Sequence, residues 1–188
     1  MYNIAITGSF ASGKSFILNC LSNMGYKVFS CDDYVKKLYQ DVAIQKLVEN
    51  SLEGLGAFNK QNLAKIIYND AGERVKLEKI IHQKVRLAIK AFEEENKKEN
   101  FVFTEVPLLF ESGFDKYFSY NICVFCSEKT RFSRANSRGS IDPMIFEKIQ
   151  QIQISQEEKK KRASFTIDSE EEQKKIEEKL IEIINTIK

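Results

Sequence analysis

The chain has 188 residues, of which 43% are hydrophobic and 30% charged, a composition that excludes whole-chain disorder and suits one folded domain. Its 29 basic and 27 acidic side chains leave a formal net charge of +2, too weak a field to hold a polyanion by charge alone, so nucleic acid is not an expected partner. Apolar runs such as residues 101–103 and 106–110 fall well short of the ~18 residues of a bilayer span, and the opening segment lacks the features of a signal peptide, so no membrane partner and a cytoplasmic address are expected.

Residues 2–7 are apolar and β-prone, run into a small-residue loop at 8–13, and give way to helical apolar spacing over 16–24. The order is strand, loop, helix. Gly25 stops that helix as a C′ residue, and residues 27–30 form a second short strand just before Asp32 and Asp33, which completes a βαβ unit. From residue 34 to about 100 the pattern is helical, punctuated by Gly54, Gly56 and the segments 69–72 and 96–100. Residues 101–105, closed by Glu105, and residues 120–125 read as buried parallel strands. The four cysteines are Cys20, Cys31, Cys123 and Cys126. The Cys123-x-x-Cys126 pair sits in strand-like surroundings with no second pair to complete a metal site, so reduced core thiols are expected. Residues 129–162 are polar and carry Arg131, Arg134, Arg138 and Arg162 around Gly139, Ser140 and Pro143, a helical excursion placed to act as a lid. Residues 164–168 alternate as a final strand, and residues 170–188 set Ile176, Leu180, Ile183 and Ile187 on one stripe, a helix with one face on a sheet.

The segment Gly8-Ser9-Phe10-Ala11-Ser12-Gly13-Lys14-Ser15 fits G-x-x-x-x-G-K-[ST] between a strand and a helix, the context in which that pattern cradles phosphates. Backbone N–H groups at a helix N-terminus face the anion, Lys14 reaches the β and γ phosphates, and Ser15 supplies a ligand for Mg²⁺. Residues Gly8 through Ser15, with Phe16 following, are therefore the candidate ATP-binding residues. Asp32 follows the second strand, where strand C-termini line the ligand crevice, and its carboxylate suits contact with a substrate hydroxyl or, alternatively, a helix cap. Glu105 ends the third strand, where an acid can hold Mg²⁺ through water or touch the substrate. Arg134, Arg138 and Arg162 could neutralise a transferring phosphoryl group, or could line a solvated helix face. His82, the single histidine, shares a helix face with Arg86 four residues on, a pair able to recognise phosphate.

Together these residues resemble the dephospho-CoA kinase family. Ile4-Ala5-Ile6-Thr7-Gly8 and Gly13-Lys14-Ser15 are similar to the family's opening, and residues 28–32 to its strand ending in a catalytic aspartate. Ile80-Ile81-His82 with Val85-Arg86 is similar to its His-Pro-x-Val-Arg segment, and Val106-Pro107-Leu108-Leu109-Phe110-Glu111 to its Val-Pro-Leu-Leu-Phe-Glu run. Arg134, Arg138, Gln153, Arg162 and residues 166–168 fall at spacings similar to its lid and last strand. The chain departs from the pattern at Ser9 and Ala11 (usually glycines), Phe16 (a hydroxyl residue), Ser30 (an acid), Gln83 (a proline), Gly139 (an aspartate) and Ser169 (an asparagine). The resemblance implies an α/β fold of P-loop kinase type: a doubly wound, parallel, five-stranded sheet in a single domain over 1–188, with a helical substrate-binding insertion at about 34–100 and a lid at about 129–162. It implies ATP with Mg²⁺, the ribose 3′-hydroxyl of dephospho-CoA as acceptor, Asp32 as base, and Lys14 with a lid arginine, most simply Arg138, against the moving phosphoryl group. Asp32, His82, Arg86, Glu105, Pro107, Leu108 and Leu109 are the implied acceptor residues, in a monomer or weak homo-oligomer. Which of the three lid arginines meets the γ-phosphate stays open. A different small-molecule acceptor (nucleoside, nucleotide or sugar acid) and a nucleotide-dependent switch also remain as alternatives.

Overall fold

The computed structural model describes residues 1–139 and 141–187. Ser140, part of the expected break in the lid, and Lys188, at the end of the expected last helix, lie outside the described residues. Contacts divide the chain into two compact units, Met1–Ser30 with Glu93–Lys188, and Cys31–Phe92.

The first unit is built on β1 (Tyr2–Thr7), β2 (Lys27–Ser30), β3 (Phe101–Glu105), β4 (Tyr120–Phe125) and β5 (Phe165–Asp168). These pair in parallel in the order β2-β3-β1-β4-β5. Along the chain, α1 (Lys14–Asn23) follows β1, and α2 (Cys31–Leu38), α3 (Val42–Ser51), α4 (Lys60–Asn69) and α5 (Ala71–Glu95) follow β2. Next, α6 (Glu128–Ser137), α7 (Pro143–Ile152) and α8 (Gln156–Arg162) separate β4 from β5, and α9 (Gln173–Ile187) comes last. The expected sheet and its flanking helices are thus present. Because β1 lies between β3 and β4, the strand order reverses at its C-terminal end, where a doubly wound sheet opens a crevice for ligands.

Alternation decides which strand residues face α1 and α9. Ile4, Ile6, Phe101, Phe103, Ile122 and Val124 form one buried cluster with Ile17 and Leu21 of α1 and with Ile176, Leu180 and Ile184 of α9. Helix α1 ends in a Schellman motif: Gly25, at φ +91°, donates its N–H to the Ser22 carbonyl at 3.0 Å, and Tyr26 donates to Leu21 at 3.1 Å. The polar excursion breaks into three helices because each has its own cap. The side chains of Ser127, Asp142 and Ser155 accept from Thr130, Met144 and Glu158, and Pro143 takes the first turn of α7. All four cysteines are buried and free. Burial pushes the Cys123 thiol up to about 11, so it stays protonated and unreactive near neutral pH.

The second unit is helical, as expected. Helix α2 begins at Cys31, earlier than residue 34, because Asp32 and Asp33 favour the positive end of the helix dipole while Lys36 and Lys37 sit in the last turn. Asp41 caps α3 and Asn59 caps α4. Leu77, Ile81, Val85 and Ile89 repeat every four residues along the buried stripe of α5.

Candidate active site

The loop after β1 is shaped by its smallest residues. Gly8 has φ +148°, and a Cβ there would lie 2.1 Å from the Val124 carbonyl oxygen, so no side chain fits. Gly13, at φ +99°, lets the start of α1 approach Ser169, whose Cβ and Oγ would lie 3.0 Å from an added Cβ. Between them Ala11 holds the left-handed region at φ +59°. The Ser12 N–H donates to the Ser9 carbonyl at 3.1 Å and closes the turn. Lys14 is 7% exposed, and its Nζ donates to the carbonyls of Gly8 at 3.1 Å and Ser9 at 3.0 Å. The ammonium therefore lies across the loop on its own carbonyl oxygens. Ser12 Oγ is buried and has no hydrogen-bond partner among the described residues.

Beside the loop, β3 supplies the acid. Phe101, Phe103 and Glu105 share one face by period-2 alternation, the face covered by α1, so Glu105 meets the start of that helix. Glu105 is 2% exposed. Oε1 accepts from Ser15 Oγ at 3.2 Å, and Oε2 accepts from Ser30 Oγ at 2.8 Å. In register Ser30 stands directly opposite Glu105, so the hydroxyl at this position donates a hydrogen bond to the carboxylate where a second acid would repel it. The hydroxyl of Ser15 and the carboxylate of Glu105 are hard oxygen donors of the kind Mg²⁺ takes alongside phosphate and water oxygens.

The excursion between β4 and β5 touches the loop through side chains of α6, of α7 and of the residue just past α7. Gln153, just past α7, accepts the Phe10 N–H on its Oε1 at 3.1 Å. Arg134 of α6 donates to the carbonyl of Ser12 at 3.3 Å, to Ser169 Oγ at 2.7 Å and to the Ser169 carbonyl at 2.9 Å. Ser169 in turn donates to the Ser12 carbonyl at 2.6 Å, so this serine ties the end of β5 to the loop. Arg138 is exposed at the C-cap of α6. Arg162 lies 4.5 Å over the Phe110 ring and 3.9 Å from Asp115, turned toward the segment after β3. Arg134 and Arg162 thus have different partners. Phe10 packs against Phe146 of α7, and Phe16 is 40% exposed on α1.

Pro107 and Leu108 are half-buried just after β3, whereas Leu109 is fully buried and packs in the interior. The Pro107 carbonyl accepts from Lys159 Nζ at 2.9 Å, and Lys159 also pairs with Glu111 at 3.0 Å. Neither Lys159 nor the pairing of Ser30 with Glu105 stands out in the sequence. Lys159 opens a Lys-Lys-Lys-Arg run that reads as a solvated helix face, and only its burial singles it out. In the second unit, Asp32 is exposed in the first turn of α2, two residues past the end of β2. His82 and Arg86 lie one turn apart on α5, half-buried and exposed respectively. Burial, and then the positive Arg86, lower the His82 pKa below its ordinary 6.5, so the ring is neutral at physiological pH.

A family model described as dephospho-CoA kinase matches residues 2–175. The dephospho-CoA kinase of Rickettsia typhi is 41% identical over 187 residues, covering 100% of this chain and 98% of the relative. That of Bartonella henselae is 32% identical over 98% of this chain and 97% of its own. Among solved structures, TT1252 from Thermus thermophilus superposes with a TM-score of 0.80 at 24% identity, covering 98% of this chain and 96% of that one. A shikimate kinase from Acinetobacter baumannii reaches 0.60 at 12% identity, covering 100% and 95%, a likeness of fold alone. With a matching family model over most of its length and relatives above 40% identity along the whole of it, the chain belongs to the dephospho-CoA kinase family.

Proposed function

We propose that this chain transfers the γ-phosphoryl group of ATP to the ribose 3′-hydroxyl of dephospho-CoA, giving coenzyme A and ADP. The observation that carries this reading is the meeting of Lys14, Ser15 and Glu105 at the C-terminal ends of β1 and β3, in a member of that family. The loop amides and Lys14 hold the β and γ phosphates once the ammonium leaves the carbonyls of Gly8 and Ser9. Ser15, with Glu105 behind it, would hold Mg²⁺, which would supply positive charge against the phosphate oxygens. Asp32 orients the 3′-hydroxyl and takes its proton as the O3′–P bond forms and the bond from Pγ to the β–γ bridging oxygen breaks, releasing ADP. Arg138 of the lid meets the charge on the transferring group. Glu105, Pro107 and Leu108 bind the acceptor, as do His82 and Arg86 of the insertion at about 34–100, whereas Leu109, fully buried, contributes packing only, and residues 129–162 act as the lid of a single kinase domain. The protein works in the cytoplasm as a monomer or weak homo-oligomer, on a small molecule rather than a nucleic acid or membrane.

ADP release with ATP, Mg²⁺ and dephospho-CoA, compared with the same mixture without acceptor, tests the reaction. Coenzyme A must appear in step with ADP, and turnover confined to a nucleoside, shikimate or water would overturn the assignment. Asp32→Asn should lower kcat by about two to four orders of magnitude, the range for a positioned general base, with little change in the KM for ATP. Unchanged turnover in that variant removes Asp32 from the mechanism.

A further inference from the structure

The junction of α7 and α8 is bonded in two directions at once. Gln153 takes the Phe10 N–H of the phosphate loop at 3.1 Å. Ile154, the next residue, donates its N–H to Glu111 Oε1 at 3.1 Å. From the middle of α8, Lys159 Nζ reaches the same Glu111 oxygen at 3.0 Å and the Pro107 carbonyl at 2.9 Å. One side of the junction therefore grips the nucleotide loop and the other grips residues 107–111, the segment that leaves β3 just beyond Glu105.

Lys159 is an unusual choice for that grip. Its side chain is 0% exposed and that of Glu111 is 14% exposed, whereas Lys161 and Arg162 of the same run face solvent. Burying an ammonium and a carboxylate costs more than apolar packing of the same volume, so the pair is poorly explained by stability alone. What it adds is direction. A fully buried ammonium with a carbonyl on one bond and a carboxylate on another admits one placement of residues 107–111, where apolar contact would admit several. Glu111 Oε2 has no hydrogen-bond partner among the described residues, so compensation of this carboxylate falls on Lys159 and the Ile154 amide.

We propose that Lys159 is a positioning residue for the acceptor, acting from the lid side through the Pro107 carbonyl and Glu111 to hold the segment after β3 in its binding-competent placement. This rests on the reading that Glu105, Pro107 and Leu108 border dephospho-CoA. Lys159 makes its bonds to residues 107 and 111 and leaves the bond to the phosphate loop to Gln153. Its loss should therefore appear in acceptor binding and not in ATP binding.

The test is steady-state kinetics on the full chain, with melting temperature recorded for each variant. Unmodified protein comes first, since absence of dephospho-CoA-dependent ADP release there sinks the functional reading itself. Given that activity, Lys159→Met should raise the KM for dephospho-CoA about tenfold while the KM for ATP stays within about twofold, and Lys159→Arg should recover most of the loss. Because Lys159→Met strands Glu111, the double variant Lys159→Met with Glu111→Gln is measured beside it. It removes both charges and keeps an acceptor for the Ile154 amide, so it should regain melting temperature while the KM for dephospho-CoA stays raised. The proposal is overturned by an unchanged KM for dephospho-CoA in a folded variant, by equal rises in both KM values, by joint recovery of stability and KM in the double variant, or by failure of both variants to fold.

Discussion

Ala11 holds φ +59° in the loop that curls around the phosphates, where glycine is usual. A left-handed conformation costs an L-residue roughly 1–2 kcal/mol, while glycine loses about 0.5–1 kcal/mol more chain entropy on folding. Ala11→Gly should therefore range from neutral to about 1.5 kcal/mol stabilising, and Ala11→Val, β-branched at positive φ in a buried site, should lose about 2 kcal/mol or more. Urea unfolding of the pair checks this, and equal losses would mean that the backbone at residue 11 carries no strain. Gly8 is stricter, because its constraint is contact with the Val124 carbonyl. Gly8→Ala should abolish ATP binding, measured by calorimetry, because the loop must move off β4 to admit the methyl group. The pattern of the loop announced Gly8, Gly13, Lys14 and Ser15 without any structure. Lys159 was invisible by the same reading, since a lysine in a basic run is ordinarily solvated and only packing against Pro107 and Glu111 reveals otherwise.

At the scale of elements, the buried strands were legible because short apolar runs such as residues 101–105 suit strands covered on both faces, and within them every second residue shares a face. Phe101 and Phe103 fill the cluster beneath α1, and the same count brings Glu105 to Ser15. The division of the polar excursion into α6, α7 and α8 was less legible, because it depends on where Ser127, Asp142 and Ser155 find N–H groups to cap. Helix α5 carries a pH response. Its His82 is held below its ordinary pKa of 6.5, mainly by burial, so as pH falls through 6.5 the unfolded chain takes up a proton that the folded helix resists, and stability declines. One turn earlier burial raises the Glu78 pKa above its ordinary 4.5. Its sign is opposite, since the folded state binds that proton more readily, so the two partly offset each other. Comparison of the protein with its His82→Gln variant isolates the histidine: melting temperature should fall more between about pH 7 and pH 5 in the unmodified chain than in the variant. Identical slopes would show that the ring is solvated in both states.

In the first unit, the order β2-β3-β1-β4-β5 brings the phosphate loop after β1, Glu105 at the end of β3 and Ser169 after β5 together at the C-terminal end of the sheet. A ligand gripped there stabilises the fold by mass action. ATP with Mg²⁺ at a hundred times its Kd should add about 2.7 kcal/mol and raise the melting temperature, and Lys14→Met should lose most of that rise. A full ATP-dependent rise in the variant would place the nucleotide elsewhere. By itself the sequence determined the five strands, the helical stretch that follows β2 and the phosphate loop, because each is written in local periodicity or in a short motif whose chemistry needs those residue types together. Tertiary structure alone decided that Ser30 serves Glu105, that Ser169 and Arg134 close on the Ser12 carbonyl, and that Lys159 lies buried against Pro107. Those are pairings between residues far apart in the chain, set by how strands stack and which helix face turns inward, and no local pattern encodes them.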